Sequence, residues 1–136
     1  MSVLAANRVT RNREGKTFDF KVDANKHIYA GGLVMTVAGY LQPGGDTASA
    51  EFAGVAGAEV NNNPGLAGAK VCRVLRKGTF LFNKASAVQT DVGKDAYIVD
   101  DQTVALVAVT SNDLKCGKII GIEDSTHVWV AIDNAT

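Results

Sequence analysis

The chain has 136 residues, fourteen basic and fourteen acidic, for a formal charge of zero, and 46% of it is hydrophobic. That length fits one domain better than two, and the apolar content excludes a disordered chain, which needs low hydrophobicity and high net charge. Zero net charge leaves no general field to draw the protein onto nucleic acid or an anionic membrane, so partners are expected to be recognised by shape and local patches.

Met1 to Arg13 contains no apolar h-region, and nowhere downstream do about eighteen apolar residues run uninterrupted, so neither a signal peptide nor a membrane span is expected. Residues 1–15, MSVLAANRVTRNREG, hold Arg8, Arg11 and Arg13 with little apolar content after Leu4. They show neither helical nor strand periodicity. The expectation is an extended N-terminal arm followed by a single β domain over 16–136. Such an arm is either a solvated tail or a segment that orders on the acidic surface of a partner subunit through bidentate arginine contacts.

Lys16 to Asp23 alternates, with Phe18, Phe20 and Val22 on one side, which predicts a half-buried strand. Lys26 to Ala30 and Leu33 to Leu41 read as two short strands flanking Gly31-Gly32, a pair suited to a tight reversal. QPGGD, Gln42 to Asp46, is a turn by its chemistry. The only helical prospect lies around Thr47 to Phe52, and Glu51 to Val60 has side chains small enough to pack against a neighbouring backbone. NNNPGLAG, Asn61 to Gly68, predicts a surface loop.

Ala69 to Phe82 is the richest β stretch and is expected at the centre of the core, with Gly78 marking a bulge or bend. Asp95 to Asp100, Thr103 to Val109 and Cys116 to Glu123 are further strands. Thr126 to Asp133 should set Val128, Val130 and Ile132 on one face and His127, Trp129 and Ala131 on the other. Many short strands with glycine-rich turns predict an all-β sandwich or jelly-roll-like barrel.

Constellations that could carry chemistry are weak. GLAGAK, Gly65 to Lys70, lacks the spacing and hydroxyl of a phosphate loop and feeds a strand. Asp124, Ser125 and His127 are too close in sequence to form a hydrogen-bonded triad, and no GxSxG elbow accompanies them; a polar hairpin tip is the plainer reading. Asp95, Asp100 and Asp101 lack the EF-hand alternation and glycine, which favours polar turns over a calcium cage. Phe80, Phe82 and Trp129 could stack single-stranded nucleic acid, yet have no basic excess beside them, and read as core. His27 reads as a strand-end surface residue. Cys72 and Cys116 match no metal spacing or secreted disulfide framework, and are expected to be reduced and buried. The expectation is therefore a non-enzymatic chain with no cofactor, no metal and no small-molecule substrate.

In order, the segments ANRVTRNREGK, IYAGGLVMTVAGYLQPGGD, FAGVAGAEVNNNPG, VCRVLRKGTFLFNKA, DVGKDAYIVDDQTV and CGKIIGIEDSTHVWVAI span Ala6 to Ile132. This series resembles a family of phage and prophage proteins, the capsid cement or head decoration proteins of tailed-phage heads. The resemblance implies a β-rich subunit, dimeric or trimeric, sitting on the exterior of an icosahedral capsid over junctions of the major capsid protein. It also implies assembly in host cytoplasm and residence in the virion, and it brings no catalytic residues. Arg8, Arg11 and Arg13 as partner-binding residues follow from the arm itself. The rival readings are another virion structural protein, such as a tail or head-completion protein, and a carbohydrate-binding β module or small hydrolase. The last class would need a concave aromatic cluster or paired carboxylates.

Overall fold

The computed structural model describes residues 17–107 and 109–133. Its regular structure is nearly all strand, and every strand pairing is antiparallel. The arm, with Arg8, Arg11 and Arg13, lies outside the described residues.

The strands in chain order are β1 (Thr17–Lys21), β2 (His27–Ile28), β3 (Leu33–Val37), β4 (Tyr40–Pro43), β5 (Ala50–Ala56), β6 (Val60–Asn61), β7 (Val71–Leu75) and β8 (Lys77–Asn83). After a 3-10 turn at Gln89–Asp91 come β9 (Asp95–Ile98), β10 (Val104–Ala105), β11 (Lys115–Asp124) and β12 (His127–Asp133). One sheet has the order β1-β7-β5-β3-β4, and a second the order β10-β9-β11-β12-β8; β2 and β6 form a separate two-stranded ribbon. The expected all-β sandwich is what the chain builds. Among the described residues, no helix is long and apolar enough to cross a membrane.

Two apolar clusters organise these layers. Between the sheets, Leu33 and Val55 of the first meet Phe82, Ile98, Ile119, Val128, Val130 and Ile132 of the second. On the other side of the first sheet, Val34, Leu41, Ala53, Cys72 and Val74 pack with Val22 and Ile28. In the first sheet β7 and the edge strand β1 keep one face open, with Val71 and Phe18 exposed, but at β3 and the end of β5 the sheet is therefore covered on both faces. This is why Leu33, Val34 and Met35 are buried in succession on its inner strand β3, where a sheet with one wet face would alternate.

On β5 the alternation is interrupted once. Phe52 and Val55 face the inter-sheet cluster while Ala53 and Ala56 face the other, and Ala53, skipped between the Val34–Gly54 and Met35–Phe52 pairs, is the bulged residue that shifts the pattern by one. A Cβ at Gly54 would overlap the Leu75 carbonyl, so the close backbone approach expected of this small-residue segment is real. On β11 Cys116, Ile119 and Ile122 all reach the inter-sheet cluster at intervals of three, which a strand of period two permits only with register shifts between them.

Five expectations need correction. The strand expected over Thr103 to Val109 is confined to Val104–Ala105. Thr47 to Phe52 forms no helix: it is a turn followed by the start of β5, whose small side chains are held between two strands regardless of helical propensity. Leu33 to Leu41 is a hairpin, reversed at Ala38 and Gly39, which both take positive φ (52° and 87°), the left-handed pair that a tight two-residue connection needs. The stretch Ala69 to Phe82 breaks at Arg76, where the chain leaves one sheet for the other, and not at Gly78; β8 is an edge strand. Phe18 is 41% exposed because β1 is also an edge; Val22, just beyond it, is the fully buried member of that alternating set.

Candidate interaction surface

The outward face of the second sheet stands out by its side chains. With Val128, Val130 and Ile132 turned inward, β12 directs Trp129 and Ala131 outward, as the alternation predicts. Trp129 stands opposite Leu81 on β8 and opposite Gly121 on β11. The register passes from the Ile119–Val130 pair directly to the Gly121–Trp129 pair, which leaves Ile120 as a bulged residue with no opposite number on β12. Leu81, Trp129 and Ile120 are 41%, 37% and 50% exposed, and together they mark an apolar band across three adjacent strands.

The indole of Trp129 is held in place. A Cβ at Gly121 would lie 3.6 Å from Trp129 Cδ1, so the glycine provides a bed for the ring, and Trp129 Nε1 donates to Glu123 Oε2 at 2.8 Å. A large aromatic fixed before any partner arrives loses little conformational freedom on binding, and an apolar body with a satisfied N–H is the side-chain type that dominates protein interfaces. Around it the charges are mixed. Lys77 and Asp133 stand opposite each other, as do Lys118 and Asp95, and a hollow of about 490 Å³ at the second pair is also lined by Lys94, Tyr97 and Val107.

The residues singled out for chemistry are placed as follows. Asp124 and His127 do meet, at 2.8 Å, at the tip of the β11–β12 hairpin, where Thr126 N–H and Oγ1–H also donate to Asp124 Oδ1. The Thr126 amide and the His127 ring hold the Asp124 carboxyl below the usual carboxylate range. Ser125 joins through its backbone: its carbonyl accepts from Ala87 N–H. This is a turn stitched together by its own side chains.

Asp95 pairs with Lys115 at 3.3 Å and Asp100 accepts from Gln102 N–H, so the candidate carboxylates have separate duties. Among the described residues no group of three His, Cys, Asp or Glu converges as a metal site. Phe82 is core and Phe80 packs against it, whereas Trp129, expected in the core by the plainer reading, is on the surface. In GLAGAK, Lys70 Nζ donates to the Asn61 carbonyl and the chain enters β7. His27 stacks on Tyr29 with centroids 4.2 Å apart and bonds Glu59 at 2.7 Å. Cys72 and Cys116 are free and buried, and burial raises both thiols, Cys116 to about 12, which leaves them unreactive at neutral pH.

Sequence reasoning missed one charged site. Lys84 Nζ lies 2.9 Å from Asp91 Oδ2 with the two side chains only 8% and 5% exposed, and it also donates to the Ala85 carbonyl. Burial pushes the Asp91 carboxyl up, but the hydrogen bonds from Lys84 and from Val88 N–H outweigh it, and the net displacement is downward. The pair closes the segment between β8 and β9 over the end of the β11–β12 hairpin, and no spacing in the sequence announces it. No protein-family model, no curated protein and no solved structure matches the chain.

Proposed function

We propose that this chain is a structural cement subunit of a tailed-phage head, which binds the exterior of the assembled capsid at capsomer junctions and stabilises the shell. The observation that carries the reading is the pre-ordered Trp129, laid over Gly121 and tied to Glu123 in an apolar band with Leu81 and Ile120. The resemblance of its ordered segments to head decoration proteins supplies the partner, the major capsid protein. The physics suits such a role: a subunit that binds only the assembled shell stabilises it by mass action, and repetition at symmetric junctions multiplies modest contacts. The arm residues Arg8, Arg11 and Arg13 add guanidinium contacts in this proposal, on a neighbouring subunit or on the shell.

The test is co-sedimentation with undecorated shells, followed by thermal disruption of the loaded particles. Binding should saturate at a fixed number of copies per shell and raise the disruption temperature. Trp129→Ala should weaken binding by about 2 kcal/mol, roughly thirtyfold, while leaving the isolated fold intact. Deleting Met1 to Arg13 should leave the β body folded and weaken binding less. Full affinity for shells in both variants would overturn the reading.

A further inference from the structure

The neutral total conceals an asymmetry. Residues 1–16 contain four basic residues, Arg8, Arg11, Arg13 and Lys16, against the single acid Glu14. Of fourteen each, that leaves ten basic and thirteen acidic residues for 17–136, so a segment of net charge +3 is joined to a body of net charge −3. The body also has a place that fits the side chain this segment carries three times.

Where the β2–β3 connection meets the β9–β10 turn, a depression of about 350 Å³ is lined by Tyr29, Gly31, Gly32, Asp101 and Gln102. Its backbone is already committed: Leu33 N–H donates to the Asp101 carbonyl, Gly31 N–H to Ala56 O, and Gly32 accepts from Ala56 N–H. The floor is two glycines, and a Cβ at Gly31 would meet nothing within 4 Å. Tyr29 is 57% exposed, with His27 stacked against its ring.

Among the described residues, the Asp101 carboxylate and the Gln102 carboxamide have no hydrogen-bond partner, and no lysine or arginine lines the hollow. An aromatic ring beside an unpaired carboxylate and an amide oxygen is the chemistry that receives a guanidinium: the ring faces the cation and the carboxylate accepts two parallel N–H bonds. The volume is at the small end for ligand sites, which suits one side chain better than a whole small molecule.

We infer that this depression is a socket for an arginine of residues 1–16 from a second copy of the chain, so that subunits link arm to body. Sixteen extended residues reach at most about 55 Å, ample for a neighbour's surface. The inference deepens the reading of the chain as a self-associating shell subunit, but it concerns contacts between copies and is tested without shells.

The experiment is sedimentation velocity of the full chain over a range of concentrations, at low salt and in high salt. It is paired with amide NMR of the full chain titrated with a synthetic peptide of residues 1–16. Self-association should weaken about tenfold in Asp101→Asn, in Tyr29→Ala, and in a variant with Arg8, Arg11 and Arg13 all changed to lysine, which keeps the charge but loses the planar fork. High salt should weaken it as well. The peptide should shift the amides of Tyr29, Gly31, Gly32, Asp101 and Gln102. A chain monomeric at every concentration, association indifferent to Asp101→Asn, or peptide shifts located elsewhere would each overturn the inference. So would deletion of residues 1–13 shifting the socket amides with no change in mass, the sign of an arm docked on its own body. A neutral methyl pyranoside that shifts the socket while the peptide does not would assign it to a sugar and equally defeat the arginine reading. Loss of shell binding in Trp129→Ala with self-association unchanged would keep the two proposals separate.

Discussion

The two sheets use the same kinds of residue to different ends. At β3 and the end of β5 the first is covered on both faces, by the second sheet through Leu33 and Val55 and by the outer layer with Val22 and Ile28 through Val34 and Ala53. The second is covered on one face and presents Trp129, Leu81 and Ile120 on the other. Their polar closures differ as well. On the far side of the first sheet the buried Asn62 pins the loop after β6 by donating to the Asp23 and Leu66 carbonyls, whereas the second sheet's margin is closed by the charged pair Lys84–Asp91. The strands β3 and β5 thus spend both faces on packing, whereas the second sheet leaves an apolar face open to partners.

The charged closure is the sharpest place to test the contrast. Lys84→Met strands a buried carboxylate and should cost about 3–5 kcal/mol, whereas the double change Lys84→Met with Asp91→Leu should recover most of that loss. Urea denaturation of the three proteins decides it; equal losses in single and double variants would show that packing, not charge, matters at that margin. The pH dependence has a definite sign. Since the folded Asp91 carboxyl titrates below its ordinary value of 3.8, the pair stabilises the fold above about pH 4. That contribution disappears as the pH falls through the lowered folded value. The double variant should therefore lose less stability than the wild type between about pH 4 and pH 2.

Next in size are the two close-approach glycines, one in each sheet. A Cβ at Gly54 would overlap the Leu75 carbonyl, and one at Gly117 the Ala131 carbonyl. Only Gly54 also sits at positive φ, 150°. Overpacking alone should cost Gly117→Ala about 2 kcal/mol, and the added backbone strain should bring Gly54→Ala to about 4 kcal/mol. Thermal unfolding of both variants ranks them, and a reversed order would show that the second sheet is the less yielding of the two.

What could be read in advance follows the same division. Where one face is buried and the other is wet, alternation reports the fold directly, and Val128, Val130 and Ile132 were placed correctly on that basis. Where both faces are buried, as at Leu33 to Met35, periodicity says nothing about direction. The hairpin at Ala38 and Gly39 was hidden inside an apolar run for that reason. The passage from one sheet to the other at Arg76 uses no turn residue, whereas Gly78, which has the composition of a bend, lies two positions later inside β8. At the candidate surface, alternation alone places Trp129 on the outward face of its strand. Its anchoring by Gly121 and Glu123 depends on cross-strand register, and the Lys84–Asp91 pair on how the 3-10 turn folds back, neither of which follows from local pattern.

The smallest expected effect concerns adjacent isoleucines that the sequence cannot tell apart. In KCGKIIGIED, Ile119 is fully buried against Val128 and Val130, while Ile120 is half exposed because the bulge gives it no partner on β12. Removing one methylene should therefore cost about 0.5–1.5 kcal/mol in Ile119→Val. The same change in Ile120→Val should stay within about 0.5 kcal/mol. Paired denaturation curves read the difference directly. If the two variants lose equal stability, Ile120 is covered in the free protein and the apolar band is narrower than its exposure indicates. If only Ile119→Val loses stability, Ile120 stands free to contribute its area when the open face meets a partner.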